Sequence, residues 1–130
     1  MYLLDTDTLS YFLKGNARVI ENFKAHRTLP KALSVITYGE LVFGCRKSRY
    51  VVENLAKVTR LAESYPIIDV TRSVTECFGE VKAFLEKSGT PLDNFDLLIG
   101  CTALTMNYAI VTNNVKHYQK IPGLKVVNWA

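Results

Sequence analysis

Residues 3–10, Leu3-Leu4-Asp5-Thr6-Asp7-Thr8-Leu9-Ser10, change character within two positions: an apolar run ends in an acid, and a second acid follows two residues on. So short an apolar run, Tyr2–Asp5, fits a buried strand, and Thr8–Lys14 returns to helical spacing and stops at Gly15, a natural residue past a helix end. The same change recurs down the chain. Asn16–His26 has apolar residues at 17, 19, 20 and 23 and predicts a helix capped by Asn16. Ala32–Ile36 is a second strand, followed by helical spacing over Thr37–Lys47 and Val51–Ser64. Ile67–Val70 is a third strand, and Ser73–Lys87 a long amphipathic helix closed by Gly89. Asp93–Met106 is a largely apolar helix, and Ala109–Thr112 and Lys125–Val127 are two further strands. Strands alternating with helices predict an α/β/α sandwich, in which helices cover both faces of a mostly parallel sheet.

In such sheets ligands bind beyond the carboxyl ends of the strands, where these acids fall. Asp5 closes the first strand, Glu40 and Asp96 lie in the first turns of helices, and Asn113-Asn114 follow the fourth strand. Carboxylates gathered at one sheet edge repel, and a hard divalent cation such as Mg²⁺ or Mn²⁺ relieves the repulsion through oxygen ligands. Most of these acids also have purely structural readings. Thr37-Tyr38-Gly39-Glu40 and Ser73-Val74-Thr75-Glu76 both match a capping box. Asp93 is placed to cap its helix, Asp96 to complement the helix dipole, and Asp7 to cap the helix near Thr8. Asp5 has the weakest structural account, because it ends a buried strand.

The chain has 130 residues, 48% of them apolar, the size of a single domain (1–130) with a full core. Its three cysteines are odd in number and scattered, as expected of reduced thiols in the cytoplasm. The opening Met1-Tyr2-Leu3-Leu4-Asp5 lacks the basic head and long apolar run of a signal peptide, and Leu97–Val111 is shorter than the roughly 20 residues of a membrane span. Net charge is +4, from 16 Lys and Arg against 12 Asp and Glu. If several acids gather in one pocket, the remaining surface is strongly basic, which suits a polyanion held over a cation. Lys116, Lys120, Arg46, Lys47 and Arg49 flank the acidic junctions and are candidates for phosphate contact. His117 lies close by, with a surface role or a substrate contact both open. There is no Cys-x-x-Cys, no Gly-rich phosphate loop, and no evident Ser–His–acid or Cys–His arrangement.

Four stretches, "YLLDTDTLSYFLKG", "SVITYGELVFG", "GTPLDNFDLLIGCTAL" and "AIVTNNVKHYQKIPGLKVVNW", in this order and spacing resemble the PIN-domain ribonucleases, specifically the VapC-type toxins of toxin–antitoxin pairs. The resemblance runs essentially end to end. It implies a PIN-like α/β/α fold and a Mg²⁺- or Mn²⁺-dependent endoribonuclease. It places the family's acids on Asp5, Glu40 and Asp96, all expected to be catalytic and metal-binding, and the fourth ligand position on Asn114. Many relatives carry Asp at that fourth position, and an amide adds no charge. Thr6, Asp93 and Thr112 fall where residues that support the ligands or position substrate would stand. The resemblance further implies a cognate antitoxin, an RNA substrate with transfer RNA among the candidates, a homodimer, and a larger assembly with antitoxin. Two rivals remain. Asp5-Thr6-Asp7-Thr8 also fits the D-x-D-x-T element of haloacid-dehalogenase-like phosphatases, with Asp5 as nucleophile and Asp7 as general acid/base. Asn114 also fits a module that binds RNA or a partner without cutting.

Overall fold

The predicted alternation is present in the computed structural model, which describes residues 1–130. In chain order it contains β1 (Tyr2–Leu4), α1 (Thr6–Leu13), α2 (Ala17–Ala25), β2 (Lys31–Ser34), α3 (Val35–Arg46), α4 (Val51–Ser64), β3 (Ile67–Ile68), α5 (Arg72–Lys87), α6 (Asn94–Met106), β4 (Ala109–Val111), α7 (Val115–Tyr118) and β5 (Val126–Val127). The five strands form one sheet in the order β3-β2-β1-β4-β5. Every pairing is parallel, with Leu3 opposite Ala32 and Ile110, so the sheet is wholly rather than mostly parallel.

Successive strand residues point to opposite faces, and here both faces are apolar. Leu3, Ala32 and Ile110 pack on one side against Val74, Val81 and Leu85 of α5, Leu97, Ile99, Cys101 and Ala103 of α6, and Tyr118 and Ile121. Leu4, Leu33 and Val111, each one residue on, pack on the other side against Leu9, Val19, Phe23, Leu41, Cys45, Val58, Leu61 and Trp129. The result is the three-layer α/β/α arrangement. All three cysteines are unpaired, and no helix is long and apolar enough to cross a membrane.

Several boundaries differ from expectation, each for a local reason. Asp5 rather than Asp7 caps α1, accepting from Thr6 N at 2.8 Å. Ser34 rather than Thr37 caps α3, accepting from Ile36 N at 3.1 Å, so Thr37 and Glu40 lie inside the helix and do not form a capping box. The strand before it is correspondingly shorter, ending at Ser34 instead of Ile36. Thr71 caps α5 through Val74 N, and Glu76 pairs with Arg72 instead of closing a box with Ser73. The caps expected at Asn16 and Asp93 are present. The short helix α7 is an addition: its four residues are too few for helical periodicity to register.

Asn107 ends α6 in the left-handed region, at φ 57° and ψ 40°. Asn tolerates this conformation and a β-branched residue does not. Asn107→Val is therefore expected to cost roughly 1–2 kcal/mol, and Asn107→Gly close to nothing, as read by thermal melting.

Candidate active site

In the order β3-β2-β1-β4-β5 the chain runs outward from β1 to β3, then returns to the other side of β1. The gap between the carboxyl ends of β1 and β4 is thus the switch point of the sheet, where adjoining loops part and leave a crevice. Asp5 follows β1 and Thr112 follows β4. They meet there: Thr112 Oγ1 donates to Asp5 Oδ2 at 2.8 Å.

Asp5 is 6% exposed. Its Oδ1 accepts from Thr6 N at 2.8 Å and from the Tyr118 hydroxyl at 3.1 Å. Tyr118 is fully buried, and its hydroxyl also lies 3.5 Å from Asp96 Oδ1. One phenol therefore stands between the acid of β1 and the acid in the first turn of α6. Thr6 makes the next link. Its hydroxyl donates to Glu40 Oε1 at 2.6 Å and lies 3.1 Å from Thr37 Oγ1. Asp7, which the sequence assigned to capping, instead fastens the loop after β4: its Oδ2 accepts from Asn113 N at 3.0 Å. Thr112 Oγ1 accepts from Asn114 N at 2.9 Å, so Thr112 both orients Asp5 and sets the fourth-position loop. The Asn114 side chain makes no hydrogen bond to the acids; its Nδ2 lies 2.8 Å from His117 Nδ1. His117 Nδ1 is in turn 3.7 Å from Asp96 Oδ2. Asp93 caps α6 through Phe95 N at 3.1 Å and makes no side-chain hydrogen bond to the other candidates.

The electrostatics follow from this enclosure. Burial, with the charge of Asp7 beside it, pushes the Asp5 carboxyl up to about 7 against the three hydrogen bonds that favour its ionised form. Burial and nearby Asp93 also raise Asp96, partly offset by His117 and Tyr118. Burial and the surrounding carboxylates drive the Tyr118 phenol far above its ordinary range, so it remains a donor. No Lys or Arg pairs with Asp5, Asp7, Glu40 or Asp96. The protein has gathered carboxyl groups here with no Lys or Arg to pair them, and the donors are hard oxygens. That chemistry suits Mg²⁺ or Mn²⁺. No three His, Cys, Asp or Glu side chains close on a single point, however. Asp5 and Asp96 share the Tyr118 hydroxyl, while Glu40 stands behind the Thr6 hydroxyl. A cation held by one or two carboxylates, with water and phosphate completing its shell, is the usual Mg²⁺ arrangement.

A groove of about 700 Å³ leads away from Thr6 and Glu40 between α1, α3 and α4, with Lys14, Lys47 and Lys57 along it. Of the basic residues singled out in the sequence, Lys47 lies on this groove; Lys14 and Lys57 join it from other elements. The sequence offered no signal for Tyr118. Its partners are 113 and 22 residues away, and an isolated tyrosine in a short helix carries no motif.

The PIN-domain family model matches residues 2–123. Ribonuclease VapC1 of Haemophilus influenzae is 30% identical, over 100% of this chain and 98% of its own length. The tRNA(fMet)-specific endonuclease VapC of Salmonella typhimurium is 29% identical, over 99% and 98%. A crystal structure of VapBC2 from Rickettsia felis, bound to a DNA fragment from their promoter, contains a chain that superposes with a TM-score of 0.93 at 32% identity, over 99% of this chain and 98% of that one. With β1 and β4 presenting Asp5 and Thr112 at the switch point of a five-stranded parallel sheet, and with likeness from end to end, the chain belongs to the PIN-domain family and, within it, to the VapC ribonucleases.

Proposed function

We propose that residues 1–130 form one nuclease domain that hydrolyses RNA phosphodiester bonds with a divalent cation, Mg²⁺ or Mn²⁺, and is restrained by a cognate antitoxin. The observation that supports it best is the carboxyl cluster without a Lys or Arg partner, in which Tyr118 joins Asp5 to Asp96 and Thr6 joins Asp5's helix to Glu40. A bound Mg²⁺ or Mn²⁺ supplies activation of water and neutralisation of charge on the phosphoryl oxygens. Asp5 and Asp96 would hold the cation. Glu40, fixed at Oε1 by Thr6, keeps Oε2 free to accept a proton from the attacking water. Asn114, whose backbone rests on Thr112, borders the fourth side through its carbonyl or a bridging water. Lys14, Lys47 and Lys57 hold the RNA backbone along the groove. The products are a 5′ phosphate and a 3′ hydroxyl, and no protein nucleophile takes part. Asp7 is engaged by the Asn113 N–H, so it is poorly placed for the acid/base role that a phosphatase would ask of it.

The naming of relatives as VapBC pairs supports an antitoxin partner, and that of one as specific for tRNA(fMet) supports transfer RNA as the first substrate to try. A homodimer, and a larger assembly with antitoxin, belong to the same proposal. The test is RNA cleavage by the purified, antitoxin-free chain. Cleavage should require Mn²⁺ or Mg²⁺, stop on chelation, and fall at least about 10²-fold in Asp96→Asn. RNA binding without cleavage under either cation would instead identify a binding module.

A further inference from the structure

Asp5's two oxygens are unequally occupied. A carboxylate offers roughly four lone pairs, two on each oxygen. Both on Oδ1 are taken, one by Thr6 N at 2.8 Å and one by the Tyr118 hydroxyl at 3.1 Å. On Oδ2 one is taken, by Thr112 Oγ1 at 2.8 Å. Thr6 N is backbone, held by the start of α1, and is present whatever the side chains. Tyr118 is different. It is fully buried, its ring lies against Gly100 of α6, and its hydroxyl has no hydrogen-bond partner besides Asp5 and Asp96. Having one proton, it donates to the nearer oxygen, on Asp5.

We propose that Tyr118 is a positioning residue of the cation site: by occupying Asp5 Oδ1 it leaves Asp5 one free lone pair, on Oδ2, so that Asp5 would serve as a single-oxygen ligand. This assignment rests on the cation-dependent reading above and deepens it. Groups that stand behind metal ligands and fix their orientation typically contribute 10- to 100-fold in metal affinity. Here the contribution comes from a side chain that touches neither substrate nor cation.

The experiment is Mn²⁺ binding by calorimetry to the wild-type chain and to Tyr118→Phe, without RNA. The infrared carboxylate stretches of isotope-labelled aspartate are followed in parallel, because their splitting separates one-oxygen from two-oxygen ligation. Tyr118→Phe should bind Mn²⁺ roughly 10- to 100-fold more weakly and move one aspartate to the two-oxygen pattern. Thr112→Val, which opens Oδ2 and leaves Tyr118 in place, should keep the one-oxygen pattern; it also decides the matter if Tyr118→Phe fails to fold. Equal affinity and an unchanged splitting in Tyr118→Phe overturn the assignment, as does a two-oxygen pattern in Thr112→Val. If the wild-type chain takes up no Mn²⁺, the cation-dependent function falls, and this assignment with it.

Discussion

Asp5→Asn is expected to abolish RNA cleavage and to stabilise the cation-free fold at the same time. The two effects have one cause. Asp5 is buried beside Asp7, and its carboxyl is pushed up to about 7 from an ordinary 3.8. In the unfolded chain it ionises near the lower value. Between the two, the folded state holds a proton that the unfolded state has lost, so stability falls as pH rises through this interval, and the penalty is complete above about pH 7. An amide carries no charge to bury. The Thr112 hydroxyl can rotate to accept from the new Nδ2, and the remaining oxygen keeps Thr6 N and Tyr118 as donors. Melting temperatures of wild type and Asp5→Asn should therefore converge near pH 4 and separate above about pH 7, with the variant higher. Mn²⁺ should raise the melting temperature of wild type and leave the variant's almost unchanged, because a ligand stabilises only the state that binds it. Cleavage should drop by at least about 10³-fold, some 4 kcal/mol of transition-state stabilisation. A variant that melts below wild type at alkaline pH would contradict the account of Asp5 as a site built at a cost to the fold.

Gly100→Val should produce the largest loss of stability. Gly100 lies in the middle of α6, and a Cβ there would come 2.5 Å from Ile121 Cδ1 and 3.4 Å from the Tyr118 ring. The glycine is what lets α7 and the residues after it seat against α6. A single methyl could be met by moving the far end of Ile121. The resulting strain is partly offset by the roughly 1 kcal/mol that Ala gains over Gly inside a helix. Valine adds two branches in a fixed rotamer and leaves no such escape. We expect about 3 kcal/mol of destabilisation and a melting temperature lower by about 10 °C. Displacing Tyr118 also frees Asp5 Oδ1, so cleavage should fall further than the loss of folded protein accounts for. Gly79→Ala in α5, where an added Cβ meets nothing within 4 Å, is the control and should stabilise by about 0.5–1 kcal/mol.

Legibility in the sequence followed the range of the interactions. Asn16 and Asp93 read correctly as helix caps, because a cap bonds to a backbone N–H two or three residues away. Thr37 did not, because Ser34 offers an equally good cap three residues earlier. Pairing of β2 with β1 through Leu3–Ala32, and with β3 as far as Ser34–Ile68, leaves Ser34 as the last strand residue, so the helix starts there. The four motifs marked Asp5, Glu40 and Asp96 as candidates. They were silent on how each is held.

By its own local pattern the sequence determined the layers. Leu3 and Leu4, Ala32 and Leu33, and Ile110 and Val111 are apolar at both parities, which demands cover on both faces of a sheet and yields an α/β/α sandwich. What only the tertiary structure decided is the division of labour among the polar groups at the strand ends. Asp5 and Asp7 are two residues apart and chemically the same. One became the buried, thrice hydrogen-bonded acid and the other the clasp of the loop after β4, because β4 lies beside β1 and presents Thr112 to the first and the Asn113 N–H to the second. Tyr118 gained its place between Asp5 and Asp96 in the same way. A hydroxyl acquires such partners only when strand order has brought together residues more than a hundred positions apart, and no periodicity of sequence records that order.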